Sequence, residues 1–361
     1  MKLSIERRDL LALATRAANV VNSRNTIPIL ANVKLSARDG QLCAVSTTLD
    51  QQLETRVPAR VDVEGEITVD AKLLADIAKA IKDGALIECD LSDYMLHLSA
   101  GRAKYKLQTL PVEDFPMMRA DNFTTTFEVD ATALRNMLEK TVWASSADEA
   151  RYYLQGVAMQ HRDGKAVFIA TDGHRLARFI GPDLPAFPDV IIPSKAVAEF
   201  MRILDGETAE VSVSETKVRV VIGDTSITSK LIDGTYPDWT QVIPAPRPDY
   251  VTASSVDLKD AITRVVIVAS DRVRAVKLSV AGGSLGIDVR DQNGHTAEER
   301  IDVEQVGADV VIGINSKYGL DALNRADKGD VTIQYGGSGE PMLVQYAEEP
   351  NLVAVIMPVR V

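Results

Sequence analysis

The feature that most limits how this chain can fold is a threefold internal repeat. Three amphipathic segments, Glu6–Val21, Asp130–Ser145 and Ser254–Ser270, carry Leu10, Leu134 and Leu258 at matching places, with steps of 124 residues. Each follows a short alternating stretch: Lys2–Ile5, Thr126–Val129 and Asp249–Ala253. The same offset of 124 links Leu30 with Leu154, Thr47 with Thr171, and Leu107 with Leu231. A second amphipathic segment recurs from Asp70, Pro193 and Asn315, with Lys72, Lys195 and Lys317 separated by 123 and 122 residues. Apolar residues at spacings of three and four read as helices. The period is too long for a solenoid or a propeller blade, so each copy must close a core of its own.

The stretches between the helices alternate apolar and polar residues, as in QLCAVST (41–47), LETRVPA (53–59), YMLHLSA (94–100) and AKYKLQT (103–109), with Gly or Asp-Gly turns between them. The expected architecture is α+β, with two helices and about eight strands in each repeat. Proline clusters at 111–116 and 237–248 mark two linkers, which gives domains at 1–121, 122–245 and 246–361.

With 361 residues, 46% of them hydrophobic, the chain can bury a substantial core in each repeat. A net charge of −11 argues against a protein that grips nucleic acid through bulk positive charge, although net charge says nothing of a local basic lane. Basic residues recur on the helices: Arg16, Lys140 and Arg264 on the first of each pair, and Lys72, Lys79, Lys82, Lys195, Arg202, Lys317 and Arg325 on or beside the second. One exposed lysine is ordinary; equivalent ones in three domains of an acidic protein suggest one surface kept positive. The two cysteines, Cys43 and Cys89, read as reduced small hydrophobes. No apolar signal core opens the chain and no run approaches 18 apolar residues, so a cytoplasmic protein is expected.

No phosphate loop, dinucleotide fingerprint, nucleophile elbow or HExxH motif occurs, and no metal or cofactor is implied. The stretch that resembles reactive chemistry is Thr171-Asp172-Gly173-His174-Arg175. Asp172 and His174 could be half of an acid–base pair in a hydrolase, though no nucleophile accompanies them and the repeat is left unexplained. Alternatively, Asp172 and Gly173 build a tight turn with His174 packed beside it, or the turn binds a partner. The pair Tyr152-Tyr153 stays open too. On a strand, at most one ring enters the core; on a loop beside Arg151, a ring could stack on bases.

The strings RYYLQG (151–156), ATDGHRLA (170–177), TSKLIDGTYPDW (228–239) and MPVRV (357–361), with MKLSIERRDLL at the start and TIPILANV at 26–33, resemble the bacterial sliding clamps, the beta subunits of replicative DNA polymerase. The similarity runs from the first residue to the last. It implies three clamp domains per chain and a head-to-tail homodimer closed into a ring around duplex DNA, with helices lining the hole. It implies a tether without catalysis, placed on DNA by an ATP-driven clamp loader and holding the replicative polymerase, other polymerases and repair or ligation factors. A paralogue serving other partners is compatible with the same sequence.

By the same resemblance, partners insert a short linear peptide into an apolar pocket between the second and third domains. The matching positions begin with Leu154, Thr171, Gly173, His174, Arg175 and Leu176, continue with Pro237, Val242, Asn315 and Tyr318, and end with Val355 and the terminal Met357, Pro358, Val359, Arg360 and Val361. Gln241 stands where well-studied members carry a basic residue, and Val359 and Val361 replace larger side chains, so peptide preference can differ. For DNA the resemblance points to Arg24, Tyr152 and Tyr153; Lys79 and Lys195 rest more on the repeat. At the dimer interface it places Tyr105 and Leu107 against Ile267 and Val268. There the basic strand with Arg102, Lys104 and Lys106 would face the acidic stretch with Glu298, Glu299, Asp302 and Glu304.

Overall fold

A computed structural model describes residues 1–21, 26–119, 122–269, 275–326 and 328–361. Among the described residues there are six α-helices: α1 (Arg7–Val20), α2 (Ala71–Ala80), α3 (Ala131–Val142), α4 (Ser194–Ile203), α5 (Ser255–Val265) and α6 (Ser316–Leu323). Each repeat holds two of them, with eight or nine antiparallel strands around them.

Four of the helices start where a strand ends on a residue whose side chain caps them. Asp70 accepts from Leu73 N (2.6 Å), Asp130 from Ala133 N (2.7 Å), Ser254 from Asp257 N (3.3 Å) and Asn315 from Lys317 N (3.0 Å), each satisfying an amide the helix leaves open. Leu10, Leu134 and Leu258, the residues that revealed the repeat, are all buried, at 1%, 5% and 1% exposure. They recur because each anchors the first helix of its repeat to its own core. In the first repeat, Leu10, Leu13 and Ala17 of α1 and Leu74, Ile77 and Ala78 of α2 pack with Leu3, Ile5, Val33, Leu35, Ile87 and Leu96 from the strands. Asp39-Gly40 and Asp163-Gly164 form two-residue hairpin turns, with Arg38 opposite Gln41 and Arg162 opposite Lys165.

The chain falls into two compact units, residues 1–135 with 195–231, and residues 136–194 with 232–361, so the central repeat contributes to both. In the first unit a 13-stranded sheet has Arg60–Val63 at one end and Thr125–Asp130 at the other. It is continuous because Gln51–Pro58 of the first repeat pairs with Thr225–Lys230 of the second, from Thr55 opposite Thr225 to Gln51 opposite Ser229. In the second unit a nine-stranded sheet is continuous in the same way. Arg175–Asp183 of the second repeat pairs with Leu352–Ile356 of the third, from Arg175 opposite Ile356 to Phe179 opposite Leu352. A four-stranded sheet, Thr296–Asp302, Ser284–Arg290, Ala275–Ala281 and Val310–Asn315 in spatial order, completes the third repeat.

Candidate functional site

The 171–175 segment folds as a tight turn whose carboxylate serves structure. Asp172 Oδ1 accepts from His174 N (2.9 Å) and Arg175 N (3.0 Å), and its Oδ2 accepts from Arg175 Nε (3.0 Å). Thr171 Oγ1 donates to Arg175 O and accepts from Gly173 N. Gly173 sits at φ +86°, a backbone state that side chains disfavour, and a Cβ there would stand 2.9 Å from Arg151 Nη1. That guanidinium donates to Asp172 O (2.7 Å) and pairs with Asp148 (3.0 Å). The acid–base reading fails on this geometry. The Asp172 carboxylate meets the backbone of His174, while the His174 ring lies parallel to the Tyr318 ring, 6.3 Å between centroids and 16° between planes.

Arg175 is the hub of the arrangement. It is buried, at 8% exposure, with its guanidinium 5.1 Å from the centre of the Trp143 ring and 4.6 Å from that of Tyr318. It pairs with Asp172 from its own turn and with Asp321 of α6. A cation this buried requires such partners. Burial, and then the charge of Asp172, raise the Tyr318 phenol above its ordinary range.

The chain end docks on both sides of this hub. Met357 N donates to His174 O (2.8 Å) and Val359 N donates to Gly313 O (2.8 Å). Gly313 forms an isolated bridge with Val359, and a Cβ there would fall 2.3 Å from Val359 O. Glycine is required because the tail lies directly on the strand. The terminal apolar residues are thus held at a junction of the second and third repeats, within one unit. Met357, Pro358 and Val359 are half-buried; Arg360 and Val361 are exposed.

Beside the tail, one face of the nine-stranded sheet is apolar. Leu154, Leu176 and Val355 form a buried cluster with Ala158, Val167, Ile169, Ile191, Leu343 and Val353, under Tyr236. Tyr153, Ile232, Trp239 and Ile243 pack against it. The Trp239 indole donates to Gln160 Oε1 (2.9 Å), fixing the linker across the face. Burial raises the Tyr236 phenol strongly. Pro237 and Val242 stay exposed on the same linker, and Asn315, half-buried, caps α6. The anticipated groove residues are therefore gathered in one unit. Tyr236, Trp239, Ile243, Leu343 and Val353 belong to the same surface and were not singled out beforehand. Their signal was available in the alternation of 167–176 and 353–355 and in an aromatic within a proline-rich linker. Trp143 and Asp321 had none, being far from Arg175 in sequence.

The expected DNA contacts are distributed differently. Arg24 lies outside the described residues. Tyr152 and Tyr153 lie on a 3₁₀ turn, Glu149–Leu154, rather than on a strand. Tyr152 is 54% exposed, its ring edge-on to Tyr153 at 5.7 Å, and Tyr153 is half-buried. Lys72, Lys79, Lys82, Lys195 and Lys317 are exposed, as are Arg16 and Arg202. Four of the repeated cations depart from the expectation of an open basic surface, Arg202 by pairing with Glu199 on its own helix. Lys140 is buried and donates to Arg325 O, since α3 packs against the third repeat there. Arg325 in turn donates to Glu139 O and Asp321 O, both at 3.3 Å. Arg264 is exposed but pairs with Glu299.

Among the strand sides left open in the described residues, two belong to long, charged strands. Ala103–Leu110 pairs along its length with Met95–Ala100, but on its other side only Thr109 and Leu110 are paired, with Val69 and Thr68. Thr296–Asp302 ends the four-stranded sheet and pairs only with Ser284–Arg290. Lys104, Lys106 and Arg102 are exposed at the first edge; Glu298, Arg300 and Asp302 at the second. Leu107 is buried in the core of its own repeat with Tyr105 packed beside it, whereas Ile267 is 80% exposed and Val268 half-buried. Glu299 is already held by Arg264, so it is not a free charge of the acidic edge.

Family models for the DNA polymerase III beta subunit match along the chain: the N-terminal domain at residues 1–119, the central domain at 128–238 and the C-terminal domain at 240–360. The beta sliding clamp of Caulobacter vibrioides is 36% identical over the whole of both chains. The solved Caulobacter crescentus pol III beta superposes with a TM-score of 0.95 at 36% identity, covering all of both chains. A sliding clamp (DNA polymerase III subunit beta) of Bartonella birtlesii, solved bound to griselimycin, gives 0.96 at 34% identity with the same coverage. The chain belongs to the DNA polymerase III beta subunit family, the beta sliding clamps, and its function is that of a DNA sliding clamp.

Proposed function

We propose that two copies of this chain close head to tail into a ring around duplex DNA and hold the replicative polymerase there, with no catalysis of their own. The observation that carries this reading is the pair of open edges. Strands Gln51–Pro58, Arg175–Asp183 and Thr296–Asp302 are equivalent in the three repeats, as are Ala103–Leu110, Thr225–Lys230 and Leu352–Ile356. The first-repeat member of one set pairs with the second-repeat member of the other, and the second with the third. That leaves Thr296–Asp302 and Ala103–Leu110 without their equivalent partners. An unpaired edge invites another strand. A second copy supplies both, giving two equivalent heterologous, head-to-tail contacts that close on themselves, and six domains with boundaries at 1–121, 122–245 and 246–361. At each contact Lys104 and Arg102 face Glu298, and Tyr105, backed by Leu107, faces Ile267 and Val268.

The DNA is held by exchangeable contacts from Arg24, Lys79, Tyr152, Tyr153 and Lys195. Phosphate contacts carry no sequence information, so the ring slides. Enclosure rather than affinity keeps it in place, which reconciles DNA binding with a net charge of −11. The apolar face around Leu154, Leu176, Val242 and Val355, bordered by the 357–361 tail, takes a linear peptide from the polymerase, the clamp loader or a repair factor. Tethering then raises the polymerase's local concentration at the template. These partners act in the cytoplasm; no described helix is long and apolar enough to cross a membrane.

Sedimentation combined with DNA topology tests the reading. The protein should sediment at about twice 39.2 kDa and, once loaded, remain on circular DNA but leave after linearisation. A monomer, or a complex retained on blunt linear DNA, rejects it.

A further inference from the structure

One cation in the apolar face lacks the partners that its neighbours have. Arg178 stands two residues beyond Leu176 on strand Arg175–Asp183, and alternate residues of a strand share a face. Its register partners are Ile169 on one side and Val353 on the other, both in the apolar cluster. Its Nε is buried without a hydrogen-bond partner, and it forms no ion pair among the described residues. Burial alone draws its pKa below the ordinary arginine value. The side chain nevertheless keeps its charge and its donors.

The carboxylates around the groove are already engaged. Asp172 is taken by Arg175, Asp189 by Arg162 (2.5 Å), and Asp238 by Thr240 and Gln241. Beyond Val353 the next residue in register is Gln345, whose carbonyl oxygen is held by Gln334 (2.8 Å). An arginine kept among apolar side chains with no acid of its own has a standing desolvation cost, which a bidentate carboxylate would offset. Its half-exposed position gives a ligand access to it.

We propose that Arg178 is a specificity determinant of the groove, donating to a carboxylate of the bound peptide and so selecting partners with an acidic residue beside their apolar anchors. The inference rests on the peptide-groove reading above and goes one step further, naming the chemistry that the groove selects. Arginine suits the task because its planar fork matches a carboxylate.

The test uses fluorescein-labelled alanine decapeptides with leucine and phenylalanine anchors, Asp being scanned through the other positions against Asn, by anisotropy on the full-length protein. At one position Asp should bind about tenfold tighter than Asn, the scale of a charged hydrogen bond. Arg178→Met, which keeps an apolar stem, should abolish that preference without weakening the Asn peptide, and Arg178→Lys should retain part of it. Circular dichroism checks that both variants fold. If the peptides bind with no Asp preference anywhere, or if Arg178→Met leaves the preference intact, the inference is overturned while the groove stands. If no peptide binds, or if peptides bind equally well once residues 357–361 are removed, the groove reading itself fails and the inference falls with it.

Discussion

Arg175 joins the 171–175 turn to α6 through ion pairs with Asp172 and Asp321 and lies against two rings, those of Trp143 and Tyr318. Removing one partner of a buried pair strands the other charge. Arg175→Ala should therefore cost about 3–5 kcal/mol. Urea unfolding followed by tryptophan fluorescence reads it directly, since Trp143 touches Arg175 and Trp239 covers the neighbouring face. Arg175→Lys should recover only part of the loss, as a point charge can neither fork between Asp172 and Asp321 nor stack as a plane. A variant as stable as the parent would show that Arg175 does not hold the 171–175 turn to α6. Cys89 gives a pH prediction of opposite character. Burial raises its thiol from 9.0 to about 12. The unfolded chain ionises first, so this contribution is complete below about pH 9 and fades as pH climbs towards 12. Cys89→Ala should make the loss of stability above about pH 9 shallower in denaturant titrations without removing it, since the Cys43 thiol and the phenols of Tyr236, Tyr318, Tyr335 and Tyr346 are raised as well.

At the scale of elements, the chain end is fixed by two backbone bonds to separate segments, Met357 N to His174 O and Val359 N to Gly313 O. Removing Met357–Val361 should abolish peptide binding and leave the dimer intact. Gly313→Ala offers a sharper version, because its Cβ would collide with Val359 O and the Val361 side chain and lift the tail while every groove residue keeps its identity. Peptide affinity should drop about tenfold or more, as expected when two backbone hydrogen bonds and apolar contacts are lost together. Unchanged affinity in both variants would separate the tail from the groove. The helix pairs and the alternating strands were legible in the sequence because local periodicity encodes them. The location of Lys140 was not. Its spacing matches that of Arg16 and Arg264, yet the third repeat packs over it, and periodicity within one repeat cannot report what a neighbouring repeat covers.

For the whole molecule, the two filled inter-repeat joins and the two open edges give a charge test. Lys104→Glu with Arg102→Glu should shift the assembly towards monomers, and Glu298→Lys in the other copy should restore mixed dimers, with salt weakening the rescue. Mass by analytical ultracentrifugation decides it; a fully dimeric Lys104→Glu, Arg102→Glu variant would move the interface elsewhere. Part of the expected charge pattern is already used inside the chain, since Arg264 holds Glu299 and Arg300 interrupts the acidic edge. Rescue should accordingly be partial.

The sequence by itself determined the three repeats, their helices and most of the groove's apolar residues, because hydrophobic periodicity and turn chemistry act over a few neighbouring residues. Tertiary structure alone decided which charges are free. Arg175 is enclosed by residues up to 146 positions away, Lys140 is buried, and Arg178 is left without an acid. A side chain's charge is written in the chain, but its solvation and its partners depend on contacts between distant segments. Those contacts exist only once the sheets have joined.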